Sequence, residues 1–187
     1  QYLRHWGAYG ERPDDEYQPN LASQEPSRQL RTPHGITGSR DGHIYVADRS
    51  NNRVQVFRQN GEFVMEKILR PRCAPEGEPG VPGCGPSAAF SLGFSPDEAQ
   101  TYLYVADGGS HVIVVLRRVD LEKVDEFAGP GTETGQLGRP HNLAVDPEGN
   151  IFVAEAAGPW IVDTAQGDSA QAGFRAQKFT FTGAGVP

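Results

Sequence analysis

A segment of 16 residues occurs twice in this chain, 107 positions apart. The first copy, over 33–48, contains Pro-His-Gly-Ile and then Asp-Gly-His-Ile-Tyr-Val-Ala-Asp; the second, over 140–155, contains Pro-His-Asn-Leu and then Glu-Gly-Asn-Ile-Phe-Val-Ala-Glu. A looser third copy lies halfway between them, at 89–107, and lacks the Pro-His pair. A pattern that returns about every 53 residues indicates a fold assembled from copies of one supersecondary unit.

Within the first repeat, short runs of β-forming residues alternate with turn signals. Ile44–Ala47 and Val54–Phe57 have the composition of strands, with a polar turn between them and a Gln-Asn-Gly hairpin turn after them. Leu121–Val124 is the nearest approach to an amphipathic helix, but its place in the repeat predicts the start of a fourth strand. Four antiparallel strands on tight turns form one propeller blade.

The chain is therefore predicted to be all-β, a partial β-propeller in a single domain over residues 1–187. Three blades are expected at about 33–69, 87–127 and 140–181, and residues 1–6 are predicted to be the outer strand of a preceding blade. Three blades and one strand do not close a ring, and open sheet edges invite pairing. We expect either a fragment or a half-propeller completed by another copy, that is, a homodimer.

Composition restricts the classes of partner. The net charge of −7 disfavours a nucleic-acid partner, which selects a basic face. No apolar run approaches the roughly 18 residues of a membrane span. Cys73 and Cys84 lie in a loop rich in Pro and Gly, which predicts a loop disulfide and hence an extracytoplasmic location, periplasmic or secreted. Two free thiols are the alternative; a zinc pair is disfavoured because that loop has no histidine.

The long connections all fall on one predicted face of the blades. They are the links between blades and the turn after the second strand of the third blade, at 7–31, 70–86, 128–139 and 156–174. Elaborated loops on a rigid scaffold are a common way to build binding sites. A peptide, small-molecule or protein ligand is expected on this loop-rich face, although long loops can also be merely tolerated on a surface.

Two histidines start the innermost strand of alternate blades at the same face. Converging imidazoles suit zinc, so His34 and His141 are candidate zinc ligands, with a third ligand from outside these blades. The alternative is a pair of polar side chains lining the channel. Arg49, in the turn after the second strand, is a candidate partner for a substrate carboxylate, with a solvated turn arginine as the alternative.

Other polar residues of the repeat have structural interpretations. The acid that ends each second strand is predicted to order the turn that follows it, and these acids are Asp48, Asp107 and Glu155. Arg53 is predicted to be a packed side chain that extends its charged end to solvent.

The motif Ala-Asp-Arg-Ser-Asn-Asn-Arg-Val-Gln-Val-Phe at 47–57, with Pro33-His34-Gly35-Ile36 before it, resembles an NHL repeat, and the other two copies resemble looser ones. The resemblance covers about residues 33–182. It implies four-stranded NHL blades in a six-bladed ring, of which this chain holds about half. A loop-rich face that binds a ligand or partner is the first functional interpretation.

The order Pro-His, no His, Pro-His also resembles the latter half of peptidyl-α-hydroxyglycine α-amidating lyase. That family is a zinc enzyme that forms a peptide amide and glyoxylate. The resemblance implies zinc on His34 and His141 and a substrate carboxylate on Arg49, with the third histidine and the catalytic tyrosine upstream of residue 1. Asn142 stands where that family has an aspartate ligand to calcium. The amide keeps an oxygen donor but loses the charge, which argues against calcium.

Overall fold

The computed structural model describes residues 1–20, 25–71, 88–156, 158–162, 169–172, 175–180 and 182. The chain is all-β, as predicted: its described elements are thirteen strands and two single-turn 3-10 segments, Ala8–Gly10 and Arg49–Asn51. No helix in the described part is long and apolar enough to cross a membrane. The chain divides into two units, Gln1–Ala89 and Phe90–Pro187.

The first unit contains one four-stranded blade. Its strands are β1 (Pro33–Gly38), β2 (His43–Asp48), β3 (Arg53–Arg58) and β4 (Phe63–Ile68), paired antiparallel in that order. The polar turns predicted from the sequence separate them. Asn52, at the turn before β3, adopts the left-handed conformation that asparagine tolerates well (φ 55°).

The second unit contains a second four-stranded blade and a three-stranded one. The second blade is β5 (Ala89–Phe94), β6 (Tyr102–Asp107), β7 (Val112–Arg117) and β8 (Glu122–Ala128), in that order. The segment with helix-like spacing is therefore a fourth strand, as predicted. Its hairpin turn places Leu121 in the left-handed region (φ 56°), a conformation that an α-helix does not allow.

The third blade has three described strands, β9 (Pro140–Val145), β10 (Ile151–Glu155) and β13 (Ala176–Phe179), with β10 in the middle. Between β10 and β13 the chain forms a separate hairpin, β11 (Gly158–Val162) with β12 (Ser169–Ala172). The connection after the second strand thus has the same position in the first and third blades. It is a short turn in the first blade and contains an extra two-stranded sheet in the third.

A shared core joins the second and third blades. Its members are apolar side chains from both sheets and from the linker between them: Phe90, Tyr104, Ala106, Ile113, Val115, Leu137, Leu143, Ile151 and Val153. Gly93 permits the close approach, because a Cβ at this position would lie 2.5 Å from Leu143 Cδ1. The two sheets therefore pack face against face, as neighbouring propeller blades do.

Residues 1–6 are not in a strand, which differs from the prediction of an outer strand. A strand is defined by hydrogen bonds to a neighbour, and none of the described strands pairs with this segment. It nevertheless lies against the first blade. The Trp6 ring packs on Phe57 with centroids 6.1 Å apart, and Arg4 donates to the Asn60 carbonyl at 3.1 Å.

Candidate functional site

Each of the two predicted zinc ligands is the extra residue of a β-bulge. In the first blade Pro33 opposes Asp48 and Gly35 opposes Ala47, so His34 has no opposite residue. In the third blade Pro140 opposes Glu155 and Asn142 opposes Ala154, so His141 is unopposed in the same way. Bulges re-aim a side chain and are frequent next to functional sites. The two Pro-His pairs of the sequence thus adopt the same backbone geometry, a β-bulge at the start of the innermost strand.

The surroundings of His141 are well defined. Its ring meets Phe90 edge-on with centroids 5.2 Å apart, and the Arg139 guanidinium lies over the same Phe90 ring at 5.1 Å from the centroid. The Asn142 amide oxygen accepts a hydrogen bond from the Ser91 hydroxyl at 2.7 Å. The Asn142 oxygen, which was considered as a calcium ligand, is therefore hydrogen-bonded to β5 of the second blade. Arg139 could not be identified from the repeat pattern, because the other repeats have Thr or Ala at this position.

Arg49 lies in the 3-10 turn after β2 and is half-buried. Because β1 and β2 are antiparallel and Pro33 opposes Asp48, Arg49 follows the end of β2 at the edge where β1 begins with Pro33 and His34. The neighbouring Ser50 hydroxyl donates to Thr32 at 2.9 Å. The structure therefore places Arg49 and His34 at the same end of the first blade.

Arg53 does not extend to solvent, and the prediction that it would was wrong. Its side chain is 1% exposed, and Nε donates to Asp48 at 2.8 Å. Its other nitrogens donate to the Ser27 carbonyl at 2.8 Å, to the Tyr9 hydroxyl at 2.9 Å and to Glu66 at 3.2 Å. The guanidinium joins the second strand, the outer strand and the linker before the blade, and this cluster is called the arginine clasp below.

The third blade repeats the arginine clasp. Arg175, the repeat equivalent of Arg53, donates to Glu155 at 2.7 Å and to the Gln136 carbonyl of the preceding linker at 2.8 Å. Glu155 also accepts from the Gly138 amide, as Asp48 accepts from the Arg31 amide. These acids therefore bind the linker as well as the strands.

The second blade shows the predicted role of the acid in its simple form. It has Val112 in place of the arginine, and Asp107 instead accepts from the amides of Gly109 and Ser110 at 3.0 and 2.9 Å. These two amides belong to the turn that follows. The prediction that the acid orders this turn is confirmed for the second blade.

Tyr9 closes the arginine clasp of the first blade. Its hydroxyl donates to Glu66 Oε1 at 2.8 Å while it accepts from Arg53. Burial, followed by the hydrogen bond to Glu66, raises the pKa of Tyr9 to about 12. The hydroxyl is therefore neutral at physiological pH and serves as a structural donor.

A pocket of about 410 Å³ lies on the linker that precedes the first blade. Aromatic and proline side chains form its walls, and polar side chains lie among them; the lining residues are Trp6, Gly7, Pro13, Asp14, Asp15, Tyr17, Pro19, Ser27, Gln29, Leu30, Arg31 and Pro33. This linker is one of the long connections assigned to the loop-rich face. Sequence reasoning identified the segment but not its individual residues, since they lie outside the repeating pattern.

The remaining predictions fall on different parts of the chain. Cys73 and Cys84 lie outside the described residues. In the described part of the chain, no three His, Cys, Asp or Glu side chains come together in a way that could hold a metal ion. His34 lies in the first unit and His141 in the second.

Comparison with known proteins supports the repeat and the fold. Residues 30–57 match the family model of the NHL repeat. The E3 ubiquitin-protein ligase TRIM71 of Xenopus tropicalis is 54% identical over 35 residues, which are 19% of this chain and 4% of that protein. The Rattus norvegicus protein of the same name is 51% identical over the same length and coverage. The match thus spans a small fraction of these curated relatives.

Solved structures are similar at low identity. A luciferin-regenerating enzyme superposes with a TM-score of 0.52 at 16% identity, covering 84% of this chain and 47% of that one. A protein of unknown function from Bacteroides caccae gives 0.48 at 18% identity, covering 68% and 40%. The strand order of the described sheets and the family match together establish that this all-β chain contains an NHL repeat, within blades like those of a β-propeller.

Proposed function

We propose that this chain is a propeller-type binding module that takes a protein or peptide ligand on its loop-rich face. The observation that carries the proposal is the pocket on the linker before the first blade, about 410 Å³ in volume. The arginine clasp fixes that linker to the blade through Ser27 and Tyr9, so the pocket is built on an ordered support. Concave sites of this size with mixed apolar and polar linings are typical of binding sites.

The lining suggests the chemistry of the ligand. The carboxylates of Asp14 and Asp15 are exposed beside the aromatic rings of Trp6 and Tyr17. Carboxylates attract a cationic side chain, and aromatic faces stabilise it further. The net charge of −7 adds a long-range attraction for positively charged partners. A basic segment of a protein is the ligand class that fits best.

The NHL match supports protein binding in general terms. The curated relatives are named ubiquitin ligases, but the shared 35 residues are 4% of their length. Ligase activity is therefore not part of the proposal for this chain.

The test measures fluorescence anisotropy of two labelled probe peptides, Lys-Gly-Lys-Gly-Lys and Glu-Gly-Glu-Gly-Glu, on the whole chain. We expect the basic probe to bind more tightly, and the double variant Asp14→Asn/Asp15→Asn to bind it about three- to tenfold more weakly. The matched control is Asp125→Asn/Glu148→Gln, which removes two exposed charges elsewhere. Equal binding of both probes, or equal weakening by the control pair, would refute the assignment to this pocket.

The second candidate function is the zinc-dependent amidating-type lyase, and the shared bulge at His34 and His141 is the observation that favours it. In that case the two imidazoles would hold zinc together with a ligand from outside the described residues, and Arg49 would hold a substrate carboxylate. Bound zinc would act there as a Lewis acid. Elemental analysis of native protein beside a His34→Ala/His141→Ala variant tests the idea: one zinc per chain, lost in the variant, supports it, and no zinc in the parent refutes it.

The proposed module is extracytoplasmic and carries a Cys73–Cys84 disulfide. Titration of thiols in denaturant without reductant should then find none, and reduction should release two. Two thiols in the unreduced, natively purified chain would overturn both the disulfide and the location inferred from it.

A further inference from the structure

Two parts of the described chain have complementary positions. Residues 1–6 lie beside the first blade and have no described strand as a partner. In the third blade, β13 pairs with β10 alone among the described strands, whereas β3 and β7, its equivalents, each pair with a fourth strand. Residues 1–6 thus lie where an outer strand would lie. The sheet of the third blade has an edge, at β13, where an outer strand would pair.

The packing of residues 1–6 is that of an outer strand. In the second unit, Phe127 of outer strand β8 packs on Phe179 with centroids 5.2 Å apart and an interplanar angle of 59°. In the first unit, Trp6 packs on Phe57, the repeat equivalent of Phe179, at 6.1 Å and 55°. A Cβ at Gly61 would lie 3.1 Å from the Trp6 ring, so glycine at this turn admits the contact.

The same comparison explains an exposed apolar residue near the amino end. Val124 lies three positions before Phe127 and packs against the core, and Leu3 lies three positions before Trp6. Leu3 is 77% exposed. Its equivalent Val124 is partly buried because it packs against the core shared by the second and third blades.

Two further exposed residues occupy positions that are buried between blades in the second unit. Ile36 is 71% exposed, while its equivalent Leu143 is 8% exposed against the second blade. Phe152 is 41% exposed, while its equivalent Tyr104 is 8% exposed in the same core. The first blade therefore retains the face that packs on a preceding blade, and the third blade retains the face that receives a following one.

We propose that a second copy of this chain supplies a partner for each. Residues 1–6 of one copy pair with the outer edge of β13 in the other and become the fourth strand of its third blade. The Phe152 face of that third blade then covers Leu3 and Ile36 of the first copy. Main-chain hydrogen bonds along the β13 edge give the affinity, as in other cases of strand addition.

A second copy is the occupant that fits because the chain carries both members of each complementary pair. The proposed contact is head-to-tail, and in the proposed dimer it forms twice. Such an exchange also gives a partner to the β13 edge that no described strand pairs with, and unpaired edges are prone to uncontrolled pairing.

Sedimentation equilibrium of the whole chain is the first experiment. The parent is expected at about twice its 20.3 kDa mass. Ile36→Asp and Phe152→Asp should each weaken association at least about tenfold, since each places a charge in an apolar contact. The control is Val119→Asp, which alters a side chain that is 72% exposed in the turn before β8 and outside both faces. Circular dichroism of each variant verifies that the sheets remain folded.

Mixing the two variants separates head-to-tail contact from other modes. A copy with Ile36→Asp keeps an intact third blade, and a copy with Phe152→Asp keeps an intact first blade and residues 1–6. An equimolar mixture should therefore form a heterodimer, visible by native mass spectrometry, where each variant alone is monomeric. A monomeric parent, or a mixture that stays monomeric, would overturn the proposal, and so would a parent dimer that deletion of residues 1–6 leaves unchanged.

Discussion

Arg53 is a buried arginine whose guanidinium contacts the second strand, the outer strand and the preceding linker of the first blade. Its side chain is 1% exposed and is surrounded by two carboxylates, Asp48 and Glu66, a tyrosine hydroxyl and a carbonyl oxygen. A buried guanidinium is stable only when acceptors such as these surround it. Its positive charge in turn stabilises the two carboxylates. The recurrence of this clasp at Arg175 indicates that it is a construction feature of the repeat.

Replacing Arg53 by methionine should destabilise the first unit by about 3–5 kcal/mol, because it leaves the buried Asp48 and the half-buried Glu66 without their cation. Urea unfolding, followed by circular dichroism, measures the loss. Arg58→Met is the matched control on the same strand: Arg58 is 62% exposed and pairs with Glu62 at 3.6 Å, so its loss should cost less than about 1 kcal/mol. Equal losses from the two variants would show that the clasp is not the source of the stability.

Tyr9 gives the clasp a signature at alkaline pH. Its pKa is raised to about 12 from the ordinary 10.0. A pKa raised in the folded state means that the stabilising contribution is fully present below pH 10 and is lost as the pH rises through 12. Absorbance at 295 nm should show a tyrosine step near pH 12, and Tyr9→Phe should reduce it by one tyrosine; burial also raises the pKa of Tyr104, which stays in the variant. If the step is equally large in the variant, another tyrosine is responsible.

At the scale of single residues, the sequence predicted the roles of residues that recur in each repeat. It did not predict the roles of residues whose contacts come from the linkers. The turn-ordering role of Asp107 follows from local chemistry, and it is confirmed. The burial of Arg53 depends on a non-repeating linker that folds over it, and no pattern in the repeat indicates that. The bulges at His34 and His141 depend on the pairing register, which becomes visible only when both strands are in place.

At the scale of elements, the strands of the three sheets are predictable because each repeat alternates β-forming runs with strong turn signals. The spacing at Leu121–Val124 also fits a helix, but its position in the repeat correctly predicted the start of a fourth strand. Residues 1–6 show the limit of this reasoning, because strand structure requires a partner that the described chain does not provide. The sequence predicted an outer strand here, and the packing of Trp6 on Phe57 is the contact that such a strand would make.

The hairpin of β11 and β12 is an addition to the third blade and not a part of it. In the first blade, β2 and β3 are joined by the four residues 49–52. Replacing 156–174 by this Arg-Ser-Asn-Asn turn should keep the β10–β13 pairing and change the melting temperature by only a few degrees, since the core lies on other residues. Thermal unfolding followed by circular dichroism tests this. A loss of cooperative unfolding would mean that the insertion supports the blade.

At the scale of the whole molecule, a difference in exposure between equivalent residues of two repeats shows which blade face is covered by a neighbour. Leu143 and Ile36 occupy the same place in their repeats, yet one is 8% and the other 71% exposed. The difference arises from the neighbour, since the second blade covers Leu143 and none of the first unit's described strands covers Ile36. Stability at these two sites should therefore respond differently to concentration.

Leu143→Ala should destabilise the chain by about 2–5 kcal/mol at every concentration, because it opens a cavity in a core within one chain. Ile36→Ala should cost little in dilute protein. If a second copy covers Ile36, its cost should rise with protein concentration, since a contact between copies stabilises the folded state by mass action. Thermal unfolding over a hundredfold range of concentration measures both variants. A concentration-independent effect at Ile36 would place that side chain at a permanent surface and would remove the main support for contact between copies.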